Sequence, residues 1–162
     1  MRVLSKSKMP TIAVTQKRHV AYCRVGQLQL VALANRHDID SSDLAEFITA
    51  ASADFRANGP VRAFFTHSAT ARLTPVQRRM LSDAIISLGM LGRELRANAL
   101  ISDSMIVRGM LTAMNWMIDS RVKVEAFSSN RIADAFTWVQ GYCAFDRGEA
   151  EKYLKQMLAH LA

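Results

Sequence analysis

Residues able to do chemistry are sparse in this chain, and the most suggestive pair is His67-Ser68, which follows a short apolar run. A serine nucleophile needs a base within hydrogen-bond reach and a carboxylate to orient that base, and adjacent loop residues rarely point at each other. No Gly-x-Ser-x-Gly elbow surrounds Ser68. His37-Asp38-Ile39-Asp40 offers three metal-ligand types, yet no Cys or His partners stand at a recognised spacing, and Asp40 reads more simply as a helix cap. A phosphate-cradling Gly-x-Gly-x-x-Gly or Gly-Lys-Ser/Thr loop is missing too. The chain is therefore expected to be non-catalytic, with no cofactor and no metal. Cys23 and Cys143 are read as reduced, packed thiols.

The elements that would position such residues follow from apolar spacing. Thr11–Val14 and His19–Val25 read as strands joined by Thr15-Gln16-Lys17-Arg18, and Leu28–Ala34 is either a third strand or a continuation of the second. Asp40-Ser41-Ser42-Asp43 supplies helix caps. Beyond them Leu44, Phe47, Ile48, Ala51 and Phe55 keep the spacing of one helical face until Asn58-Gly59-Pro60 ends it. A buried strand is expected at Val61–Phe65, and Thr74-Pro75 opens the next helix. Further strands are expected at Ala99–Ile101 and Val122–Phe127. Helices are expected from Asp103-Ser104 to about Ser120, over Ile132, Phe136 and Val139, and at Glu149–Leu161. Alternating strands and helices with short connections predict parallel strands joined by right-handed crossovers.

With 162 residues, 50% of them hydrophobic, the chain suits one domain with a real core. We expect a basic tail or edge strand at 1–10 and a single α/β domain over 11–162. Met1 to Lys8 lacks an apolar leader, and no window reaches the ~18 apolar residues of a membrane span, so a cytoplasmic location is expected. The net charge of +7 resides in the first 37 residues, because seven basic residues precede the first acid, Asp38, and the remaining 14 basic residues balance 14 acids. Lys6, Lys8, Lys17, Arg18 and Arg24 would form a basic patch attractive to nucleic acid or an anionic surface.

The segment Met105 to Asp119 carries the strongest interaction signal. Its polar residues Arg108, Thr112, Asn115 and Asp119 form one narrow stripe, leaving an apolar arc wider than a helix needs against a sheet. That surplus would be covered by the terminal helix, a second copy, another protein or an apolar small molecule. Met110, Met114, Trp116 and Met117 are the expected interface anchors.

Two local features carry a family resemblance. One is Thr74-Pro75-Val76-Gln77-Arg78-Arg79 at a helix start. The other is Val122 to Phe127 leading into Asn130-Arg131-Ile132-Ala133-Asp134-Ala135-Phe136-Thr137-Trp138-Val139. With the element order, they make roughly Thr11 to Gln140 resemble the STAS or SpoIIAA-like family, which includes anti-sigma-factor antagonists and related bacterial regulators. The resemblance implies a mostly parallel central sheet of four to five strands flanked by four to five helices. It also implies a regulatory or scaffolding protein-interaction module, self-associating as a homodimer or docking another protein. Antagonists of this family carry a phosphorylatable hydroxyl in an Asp-Ser-x-Gly-like turn. The equivalent stretch here, Phe64 to Thr70, offers Thr66, Ser68 and Thr70 but neither that Asp nor that Gly. Binding of nucleic acid or an anionic surface is the alternative function, and binding of an apolar small molecule is the third.

Overall fold

The computed structural model describes residues 14–36, 38–69, 71–87, 94–105, 108 and 122–162. Six strands form one sheet in sequential order: β1 (Thr15–Gln16), β2 (Val20–Val25), β3 (Leu28–Leu33), β4 (Ala63–Ala69), β5 (Ala97–Ser102) and β6 (Lys123–Phe127). Among the described residues, four α-helices accompany them: α1 (Ser41–Asn58), α2 (Pro75–Ser87), α3 (Ile132–Val139) and α4 (Arg147–Leu161).

The α/β class is as expected, but the sheet is mixed and wider than four to five strands. β1 and β2 pair antiparallel, as do β2 and β3, whereas β3 to β6 run parallel. The reason is the two-residue connection Gly26–Gln27. So short a link permits only a hairpin, since a parallel return needs a dozen residues or more. Gly26 sits at φ 58, in the left-handed region that glycine enters without a Cβ clash. β1 also occupies part of what the sequence marks as a connection, because the turn back to β2 closes in one tight bond, Lys17 N–H to the Val20 carbonyl at 2.9 Å.

α1 begins where Asp40 caps it, its carboxylate accepting from the backbone N–H groups of Ser42 and Asp43. Leu44, Phe47, Ala51 and Phe55 then fall on one buried face. Burying side chains of that size is worth about 1.5–3 kcal/mol each. Gly59, at φ 84, ends the helix. Because the parallel strands succeed each other in one direction, right-handed crossovers place their helices on a single face. Accordingly α1 packs on β2 and against α2.

The other face is covered by the chain after β6. α3 lies over β5, and α4 over β2 and β3. The sheet thus divides two cores. Ala21, Cys23, Leu30, Phe65, Ala99 and Ile101 meet Phe136, Val139, Leu154 and Met157 on the α3/α4 side. Val20, Tyr22, Val31 and Leu33 meet α1 on the other. With both faces covered, all six residues of β2 and all six of β3 are buried, so neither shows the alternation that would separate them in sequence.

Candidate functional site at the carboxyl ends of the parallel strands

In open α/β sheets the loops beyond the carboxyl ends of the strands are where ligands and partners meet the fold. Here that edge gathers the chemistry-bearing side chains of the sequence. His67, near the end of β4, stands in register between Ala32 of β3 and Ile101 of β5. It is 7% exposed, and its Nδ1 is buried with no hydrogen-bond partner. Burial pushes its pKa below the ordinary 6.5, opposed in part by a hydrogen bond with its own backbone and by the Asp103 carboxylate.

One residue on, the Ser68 hydroxyl donates to the Ile101 carbonyl at 3.0 Å. A bulge separates His67 from Ala69, which takes φ 41. Across it, Ser102 Oγ donates to the Ala69 carbonyl at 3.3 Å and accepts the N–H of Ser104 at 3.2 Å. Asp103 in turn accepts the N–H of Ser129 at 2.8 Å, and that bond holds its carboxyl below the usual 3.8. The ends of β4, β5 and β6 are therefore laced together by short polar side chains.

Two helix starts complete the edge. Thr74 and Gln77 form a reciprocal capping box on α2: Thr74 Oγ1 accepts the Gln77 N–H at 3.1 Å, and Gln77 Oε1 accepts the Thr74 N–H at 3.0 Å. Gln77 Nε2 also donates to the Ile39 carbonyl at 2.6 Å and to Ser41 Oγ at 3.0 Å, tying the start of α2 to the start of α1. Thr-x-x-Gln was legible as a capping signature, but nothing in sequence announced this bridge. His19 accepts the Asp40 N–H on Nδ1 at 2.8 Å, which places its proton on Nε2, buried and without a partner. Val76, in the first turn of α2, and Met105, three residues past β5, are 70% and 80% exposed.

The arrangement ties the strand ends to one another and to the two helix starts. Ser68, held on a carbonyl, is not poised against an imidazole. Among the described residues, no group of three or more His, Cys, Asp or Glu could hold a metal ion. Asp38 pairs with Arg36 at 3.2 Å and Asp40 caps α1, while His37 lies outside the described residues.

His67 gives this edge a testable acid response. An imidazole with a lowered folded pKa contributes stability that is complete above the unfolded value of 6.5 and is lost as pH falls from there toward the folded value. The wild-type protein is expected to lose stability to urea between pH 7 and pH 5.5, and His67→Leu to lose less of it. An identical loss in both would exclude His67 as the source. The lowered aspartates release their contributions only further down, around and below 3.8, so they do not obscure the window.

Of the hydroxyls marked for phosphorylation, Ser68 is buried, Thr66 is half-buried within β4, and Thr70 lies outside the described residues. Of the basic residues marked in the sequence, Lys17, Arg18 and Arg24 are described. Arg24 is in the interior, Lys17 pairs with Glu46 at 2.8 Å, Arg18 is exposed, and Lys6 and Lys8 lie outside the described residues. So do Met110, Met114, Trp116 and Met117. Cys23 and Cys143 are free and buried, and burial pushes both thiols up to about 12. No described helix is long and apolar enough to cross a membrane. No family model, no curated protein and no solved structure matches the chain.

Proposed function

We propose that the chain is a regulatory docking module of STAS/SpoIIAA-like type, non-catalytic, that presents the carboxyl edge of its sheet to another protein surface, a second copy of itself foremost. The observation that carries this reading is the exposure of two large apolar side chains, Val76 in the first turn of α2 and Met105 three residues past β5. Large apolar groups held in water on a rigid support are what a protein partner buries. Met105 is also the first residue of the stretch whose apolar arc exceeds what one sheet can cover. The family part of the proposal rests on the hairpin followed by alternating helix and strand, the Thr74-Pro75 helix start, and the closing strand leading into Ala-Phe-x-Trp-Val. Action in the bacterial cytoplasm is part of the same proposal.

The double variant Val76→Arg/Met105→Arg tests it. Exposed positions of this kind usually change stability by about 0.5 kcal/mol or less, so the variant is expected to melt like the wild type while its self-association or partner complex disappears in light scattering and co-purification. A wild-type chain that stays monomeric and alone, or a variant that associates as before, would remove the proposal.

A further inference from the structure

The opposite edge of the sheet carries a different surface. Where the parallel strands begin, backbone bonds run across them in series. The Arg62 N–H donates to the Gln27 carbonyl at 2.8 Å, the Arg96 N–H to the Arg62 carbonyl at 2.7 Å, and the Lys123 N–H to the Arg96 carbonyl at 2.9 Å. An exposed cationic residue therefore stands at the head of each of β4, β5 and β6, on the order of 5 Å from strand to strand. Lys17, Arg24, Arg36, Arg79, Arg131 and Arg147 each have a carboxylate partner. Among the described residues, Arg62, Arg96 and Lys123 make no ion pair. Arg56, exposed in the last turn of α1, adds a fourth charge to the same edge. Of the acids nearest in sequence, Asp54 is paired with Arg24, and Glu94 and Glu125 leave the row net positive.

The segment joining α3 to α4 is anchored beside this edge. Gln27 donates its N–H to the Ala144 carbonyl at 2.9 Å, and its Oε1 accepts the Ala144 N–H at 2.8 Å. Just before that anchor, half-buried Tyr142 packs on Trp138 of α3 with ring centroids 4.9 Å apart, and Trp138 in turn packs on Phe127 at the end of β6, centroids 6.0 Å apart.

We infer that this rim binds a single-stranded polynucleotide, with Arg62, Arg96 and Lys123 on successive phosphates and Tyr142, braced by Trp138, stacking against a base. A cationic row tracks the backbone of any strand, while aromatic faces select bases that are unpaired and free to stack. A lipid surface fits less well, because among the described residues the exposed large apolar ones, Val76 and Met105, follow the carboxyl ends of the strands at the other edge.

The test is fluorescence anisotropy of the full chain with a labelled twenty-nucleotide single strand, its duplex and anionic phospholipid vesicles. Three phosphates at about −0.7 each predict a slope of log affinity on log salt of about −2 for the single strand. Arg62→Glu/Arg96→Glu/Lys123→Glu is expected to abolish binding. The charge-matched control Arg79→Glu/Lys152→Glu/Lys155→Glu is expected to retain it, as is Tyr142→Phe, whereas Tyr142→Ala weakens it at least about fivefold. Matching thermal melts separate these losses from misfolding. No binding at low salt, equal loss in the control, or preference for duplex or vesicles would overturn the inference.

Discussion

Arg24→Ala is expected to lower the unfolding free energy by about 3–5 kcal/mol, because it strips the partner from a buried charge. The guanidinium lies on the α1 side of β2 and donates four ways. Nε reaches the Gly26 carbonyl at 2.9 Å, Nη1 reaches Asp54 Oδ2 at 3.1 Å and the Gly59 carbonyl at 2.6 Å, and Nη2 reaches the Pro60 carbonyl at 3.5 Å. One side chain thus ties the hairpin tip to the end of α1. Its own exposure is 6% and that of Asp54 is 10%, so alanine leaves a carboxylate without its counter-charge and carbonyls without a donor. Lysine is not expected to rescue it, since a single ammonium cannot reproduce the planar fork. Replacing both partners, Arg24→Met with Asp54→Leu, is expected to recover much of the loss. Screening by 1 M salt is expected to leave the contribution largely intact, unlike an exposed pair such as Arg79–Asp83. Urea unfolding followed by circular dichroism decides it. A loss under about 1 kcal/mol for Arg24→Ala would contradict the buried-pair account.

Phe136→Ala is expected to cost a similar amount, about 3–5 kcal/mol, through the cavity it leaves. The ring is wholly buried and stacks on Phe65 of β4, centroids 4.3 Å apart and planes 15° from parallel, with Phe145 at 6.3 Å. α3 has only eight residues, too few to hold together without tertiary packing, and its start has no side-chain cap. Its hydrogen-exchange protection should therefore fall before that of α1, which keeps its Asp40 cap and its own buried face. Phe136→Leu retains most of the volume and is expected to cost less. If α3 and α1 lose protection together, the local reading of this packing is wrong.

What could be read in the sequence follows from which signals are local. α1 announced itself because a cap, an apolar period and a terminating glycine all agree within twenty residues. The hairpin of β2 and β3 did not, because both strands are buried on two faces and Gly26–Gln27 is not one of the stronger turn dipeptides. β4 was placed too early for a related reason. Thr66, His67 and Ser68 look like loop residues, and they sit in a strand only because neighbouring elements accept them, as Ile101 does the Ser68 hydroxyl. Arg24 read as surface charge, since nothing near it in sequence shows that positions 54, 59 and 60 converge on it. The lacing of Ser102, Asp103 and Ser129 is equally non-local, as is the row of Arg62, Arg96 and Lys123. Each joins residues separated by a crossover.

The docking account is tested most directly by location. A photo-activatable phenylalanine placed at position 76 or 105, irradiated in the native cell, is predicted to give the same discrete adduct from both sites, of dimer size or with one other protein. The same probe in place of Ala53 on α1 or Lys155 on α4, both exposed away from this edge, is predicted to give none. Adducts from the control positions but not from 76 and 105, or none from any, would show that the carboxyl edge is not where this protein meets its partner.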